Sequence, residues 1–83
     1  PETSPFVLVI DDDASLRLRA RFELMAAGLR VAEAESGEEG IRRVVELRPD
    51  LVILDVQLPG LDGFETCRAI RALPDGRDVP ILM

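Results

Sequence analysis

The acidic residues of this chain are placed where chemistry could be done. Asp11-Asp12-Asp13 follows directly on the apolar stretch FVLVI (6–10), and Asp55 closes a second stretch, DLVIL (50–54), ahead of a turn containing Pro59, Gly60 and Gly63. Carboxylates that face one another raise each other's proton affinity, so a cluster is unfavourable by itself. A hard divalent cation reverses that balance. Magnesium takes oxygen ligands in an octahedron, commonly one or two carboxylates with waters and a phosphate oxygen. The sequence has no histidine, and all ten basic residues are arginines. An all-oxygen site on such a chain points to Mg²⁺ or Mn²⁺ and away from zinc. Phosphate chemistry is the natural use of that metal, and a carboxylate beside it can be the nucleophile that forms an aspartyl phosphate. Taken singly, each residue has a plainer reading: Asp13 as a helix cap, Asp11 and Asp12 as solvated loop residues, Asp55 as the start of a turn. Two acidic strand ends brought to one edge favour the metal and phosphoryl site.

Something must bring them to one edge. FVLVI is a continuous β-branched, apolar run without alternation, which suits a strand covered on both faces. A helix is predicted over 14–27, capped by Asp13 and ended by Gly28, although LRLRARF (16–22) alternates like a strand. RVAEAE (30–35) reads as a more polar strand near an edge. Ser36 then caps a second helix, with Glu39 three residues on completing a capping box. Ile41, Val44, Val45 and Arg48 give that helix its apolar stripe, the arginine laying its stem along it. Gly40 inside the helix has no evident purpose in the sequence. DLVILD (50–55) is a second fully buried strand. A third helix over 63–73 is predicted to bury Phe64, Cys67, Ile70 and Leu73. A turn (73–78) leads to a fourth strand, VPILM (79–83).

Strands alternating with helices of about ten residues imply βαβ units around a parallel sheet, an α/β class in which ligands gather beyond the carboxyl ends of the strands. The chain is expected to form one small domain over 6–83 behind an N-terminal tail, 1–5. At 83 residues its core is thin. The absence of a long apolar run or a leader-like N-terminus argues for a cytoplasmic protein without a membrane segment. A net charge of −6 argues against nucleic-acid binding by this chain. Without histidine, imidazole general-base catalysis, phosphohistidine and triad hydrolysis are excluded. The lone Cys67 can form no internal disulfide.

The segments VLVIDDDASLR, EAESGEEGI, PDLVILDVQLPGLDGFE and VPILM, in this order, resemble the receiver domain of two-component response regulators. The resemblance implies a flavodoxin-like (CheY-like) doubly wound parallel sheet. It further implies a signalling domain, not a turnover enzyme, that takes a phosphoryl group from a sensor histidine kinase or a histidine phosphotransfer protein to control a downstream effector. The acceptor matches Asp55. The acidic pair matches Asp11 and Asp12, with Asp12 as the direct Mg²⁺ ligand and Asp11 acting mainly through water. Gln57 matches the position whose backbone carbonyl meets the metal.

The chain also departs from that pattern. It stops within the fourth strand, and the family's Ser/Thr beyond that strand and the later Lys have no counterpart in it. The expectation is a partial receiver, truncated from a longer regulator, with weakened phosphorylation. The apolar edge VPILM would then either invite a homodimer or leave a poorly stable monomer. A receiver-fold interaction module without phosphorylation is the alternative reading. Two others fail on residues. A P-loop NTPase needs a lysine in its phosphate loop, and a haloacid-dehalogenase-type phosphatase expects an aspartate where Gln57 stands.

Overall fold

The computed structural model describes residues 3–83 and contains four strands and three α-helices: β1 (Phe6–Ile10), α1 (Ala14–Ala26), β2 (Arg30–Ala34), α2 (Gly37–Leu47), β3 (Leu51–Leu54), α3 (Gly63–Ala72) and β4 (Ile81–Leu82), with a 3₁₀ turn at Pro74–Gly76 before the last strand. The first two residues of the expected tail, at positions 1 and 2, lie outside the described residues. Pro5 and Ser4 are bonded to β2 through Arg30: its backbone N–H donates to the Pro5 carbonyl and its Nε to the Ser4 carbonyl, each at 3.0 Å.

All strand pairs are parallel, in the order β2-β1-β3-β4. The chain thus crosses over after β2, which sets β1 beside β3 and brings Ile10 opposite Leu54. The residues that follow those two positions are Asp11 and Asp55.

Side chains alternate across the sheet, and the two faces differ. Leu8, Ile10, Val52 and Leu54 join Val44 of α2 and Ile70 of α3 in the main core, with Ile41, Cys67 and Leu73 packed around it. On the other face Val7 and Val9 are buried, so β1 is covered on both sides as its composition demands. β3 is not. Leu51 and Ile53 remain half-buried, because α1 is the only helix on that side among the described residues. This helix buries none of its residues. It stands on the sheet through Arg17, Ala20 and Leu24, and leaves Leu18, Phe22 and Met25 more than half exposed along one outward stripe.

The caps explain most boundaries. Asp13 accepts from the N–H groups of Ser15 and Leu16 at 2.9 and 3.2 Å, and Gly28 (φ +89°) follows the last turn of α1. Ser36 accepts from Glu39 N–H at 3.1 Å, but the Glu39 carboxylate reaches back to Glu35 N–H (2.8 Å) instead of the cap residue itself, so the expected box is only half formed. A complete box occurs instead at Asp62 and Glu65, which opens α3.

Three expectations about side chains and one about the extent of a strand are corrected. Phe64 is 55% exposed, because it occupies the second position of α3 and points away from the sheet. Val45 also faces outward, one residue off the stripe that Ile41 and Val44 bury. Arg48 does not lie along the stripe: it ends α2 in the left-handed conformation, with its side chain near Asp75 at 3.7 Å and largely in solvent. The fourth strand is shortened to Ile81–Leu82, since Pro80 has no N–H and Val79 packs into the core ahead of the ladder.

Gly40 now has its reason. A Cβ there would run into the Ile10 side chain, so the missing side chain lets α2 lie close on β1. Arg71, near the end of α3, donates from Nη1 to the carbonyls of Gly76, Arg77 and Val79 at 3.0, 3.3 and 2.5 Å, tying the helix to the approach of β4. No helix among the described residues is long and apolar enough to cross a membrane.

Candidate metal centre

The crossover places three carboxylates together. One ligand oxygen from each of Asp11, Asp12 and Asp55 falls within 4.8 Å of the others. Asp11 and Asp55 are half-buried and Asp12 is exposed. The backbone continues the ladder just far enough to hold them: Asp11 N–H donates to Ala34 O at 3.1 Å, and Asp55 N–H to Ile10 O at 3.0 Å.

Each half-buried carboxylate has a local partner. Asp13 N–H donates to Asp11 Oδ1 at 2.9 Å, and Gln57 N–H to Asp55 Oδ1 at 3.3 Å. The Asp11 carbonyl accepts from Arg17 Nη1 at 2.6 Å. The turn beyond Asp55 is closed by Gly63 N–H on Val56 O (2.9 Å), and a Cβ at Gly63 would strike the Asp55 carbonyl oxygen and Val56 Cα. Only glycine lets α3 begin this close to the acidic strand end.

Three like charges at this spacing repel by about 1 kcal/mol per pair even in a water-like dielectric. The same spacing suits a small cation. An octahedron with metal–oxygen distances of ~2.0–2.1 Å sets neighbouring ligands roughly 3 Å apart and opposite ones roughly 4 Å apart, so the three oxygens would draw together around a cation. The donor set is oxygen alone, and no histidine exists to compete. The residues present fit a hard divalent cation.

An open cleft of about 330 Å³, lined by Arg17, Glu33, Ala34, Glu35 and Glu39, lies beside the carboxylates and not over them. Within the cluster Asp12 is exposed to solvent, while Asp11 and Asp55 are half-buried.

Two features of the site escaped the sequence reading. The Asp62–Glu65 box was legible as D-x-x-E ahead of an apolar-periodic segment. Arg17 left a fainter signal, a cation near the start of a helix where the backbone dipole disfavours positive charge. Its reason is tertiary: Asp11 and Glu33 receive it.

Comparison with known proteins places this arrangement. Residues 7–83 match the family model of the response regulator receiver domain. The transcriptional regulatory protein AfsQ1 of Streptomyces coelicolor is 52% identical over 67 residues, which cover 81% of this chain and 30% of AfsQ1. The chain therefore spans about a third of the length of such curated relatives. Among solved structures, the chemotaxis response regulator CheY4 of Vibrio cholerae superposes with a TM-score of 0.94 at 36% identity, over 98% of this chain and 68% of CheY4. The receiver domain of the sensor histidine kinase PA1611 from Pseudomonas aeruginosa, solved with a magnesium ion coordinated in its active-site cleft, gives 0.90 at 32% identity, over 95% and 65% of the two chains. With its four-stranded parallel sheet, its crossover and a family match over nearly its whole length, this chain belongs to the response regulator receiver domains of two-component signalling.

Proposed function

We propose that Asp55 is the phosphoacceptor of this domain. The donor in this reading is the phosphohistidine of a sensor histidine kinase or a histidine phosphotransfer protein. Asp11, Asp12, Asp55 and the Gln57 backbone carbonyl would hold Mg²⁺, or Mn²⁺ in its place. The observation that carries the reading is the meeting of three carboxylates, from two separate strand ends, within 4.8 Å. The magnesium ion in the PA1611 receiver cleft supports it. When bound, the cation would offset the charge on the carboxylates and the incoming phosphoryl group.

The chain's own part is positioning. Gln57 N–H donates to Asp55 Oδ1 at 3.3 Å and helps orient the carboxylate. As the new P–O bond forms, the P–N bond to the donor imidazole breaks, and the leaving nitrogen keeps the electron pair and takes a proton. The rigid turn through Gly63 keeps the nucleophile from swinging away, so transfer proceeds mainly by orientation and electrostatics. The phosphorylated domain would signal to an effector in the cytoplasm and would not act as a steady-turnover enzyme. A second copy of the chain is a further partner in this reading, added at the outer edge of β4.

A phosphorylation-incompetent interaction module on the same scaffold is the alternative reading. Incubating the chain with Mg²⁺ and acetyl phosphate, with intact mass as readout, separates the two. A metal-dependent adduct absent from Asp55→Asn supports the phosphoacceptor. No adduct on the folded chain supports the module.

A further inference from the structure

Arg17 is the fourth residue of α1, and its side chain is only 14% exposed. A guanidinium that enclosed needs partners, and a helix N-terminus supplies none. It has two. Nη1 donates to the Asp11 carbonyl oxygen at 2.6 Å, and Nε to Glu33 Oε1 on β2 at 3.2 Å. The other Glu33 oxygen meets Arg21 at 3.5 Å.

The Asp11 carbonyl belongs to the peptide unit that leads into Asp12. Holding that oxygen fixes the plane of the unit, and with it the direction in which the exposed Asp12 side chain leaves the backbone. Asp11 N–H is already held by β2 through Ala34 O. The peptides on both sides of Asp11 are thus fixed, one by the sheet and one by Arg17. Glu33 orients the guanidinium and offsets part of its charge, although it is shared with Arg21.

We infer that Arg17, oriented by Glu33, is a positioning residue for the acidic centre and sets its affinity for a divalent cation. The inference rests on the metal reading of Asp11, Asp12 and Asp55 given above. It makes a signed prediction. If Arg17 acted only through its charge, its removal would relieve repulsion and tighten cation binding. If it acts through geometry, its removal weakens binding despite the lost charge.

The test is Mn²⁺ titration of the 83-residue chain, with free Mn²⁺ read by electron paramagnetic resonance and with metal-free melting curves measured in parallel. Arg17→Met should bind on the order of tenfold more weakly, the lower end of what losing a ligand-supporting hydrogen bond costs at metal sites. Glu33→Gln, which keeps the shape, should lose several-fold. Arg19→Gln, removing an exposed cation of the same helix, should bind as the unaltered chain does. Arg17→Met binding as tightly as the unaltered chain, or more tightly, overturns the inference. Should that variant fail to fold, Glu33→Gln decides, and unchanged affinity there overturns it equally. Asp12→Asn separates the two levels: if it binds Mn²⁺ like the unaltered chain, the metal reading itself has failed.

Discussion

At the scale of single residues, the three carboxylates are not equivalent. Asp11 and Asp55 each accept a backbone N–H, whereas Asp12 is exposed to solvent. Removing the charge of Asp12 should therefore cost the fold little and relieve repulsion. Asp12→Asn is expected to melt at the same or a slightly higher temperature without metal, and to lack the rise that the proposed metal site predicts for the unaltered chain in millimolar Mg²⁺. Calorimetry with Mg²⁺ and with a chelator checks both halves, because a ligand that binds only the folded state raises its stability with concentration. Asp11→Ala differs. It removes the acceptor for Asp13 N–H as well as a proposed ligand, and should cost about 1 kcal/mol in urea titration even without metal.

At the scale of elements, Gly40 and the α3 cap give opposite lessons. By helix propensity, Gly40→Ala would stabilise by about 1 kcal/mol. In this packing the new methyl group meets Ile10, and overpacking of that kind typically costs about 1–3 kcal/mol. A net loss of stability is expected, partly recovered in the Gly40→Ala, Ile10→Val double variant, where the shorter side chain makes room. Asp62→Ala should cost about 1 kcal/mol through the lost cap. Full additivity of the two Gly40 and Ile10 changes would refute the contact.

The elements also show what the sequence could carry. Local signals were enough for every helix and strand: the unbroken apolar run of β1, the Asp13 and Ser36 caps, and the glycine after α1. They marked Asp55 as a candidate as well, because an aspartate closing an apolar strand before Pro59 and Gly63 is a local pattern, although by itself it reads equally as the start of a turn. Which helix faces were covered was not local. Phe64 and Val45 fit an apolar stripe by spacing, yet the sheet lies to one side of it. Arg17 was hidden for the same reason, since its partners stand six and sixteen positions away.

At the scale of the whole molecule, the sheet is covered unequally. α2 and α3 enclose one face, while α1 alone stands on the other and keeps Phe22 67% exposed. Phe22→Glu should accordingly change the unfolding free energy by no more than ~0.5 kcal/mol, as exposed substitutions usually do. β4 is an edge with an exposed Leu82, and edges of that kind pair with other chains. Sedimentation velocity across a range of concentrations should show self-association that Leu82→Lys lowers. A single monomeric species at every concentration would rule the edge contact out.

The Arg71 contacts bear on the order in which this molecule comes apart. β4 pairs with β3 at two positions only, Val52–Ile81 and Ile53–Leu82. Three carbonyls leading into it, those of Gly76, Arg77 and Val79, share a single guanidinium nitrogen. Beyond that nitrogen, the last ten residues are held by the short ladder, by Val79 in the core and by Asp75 beside Arg48. Amide deuteration in native buffer should label Ile81 and Leu82 well before Leu8 and Val9, through an opening that leaves Asp11, Asp12 and Asp55 assembled.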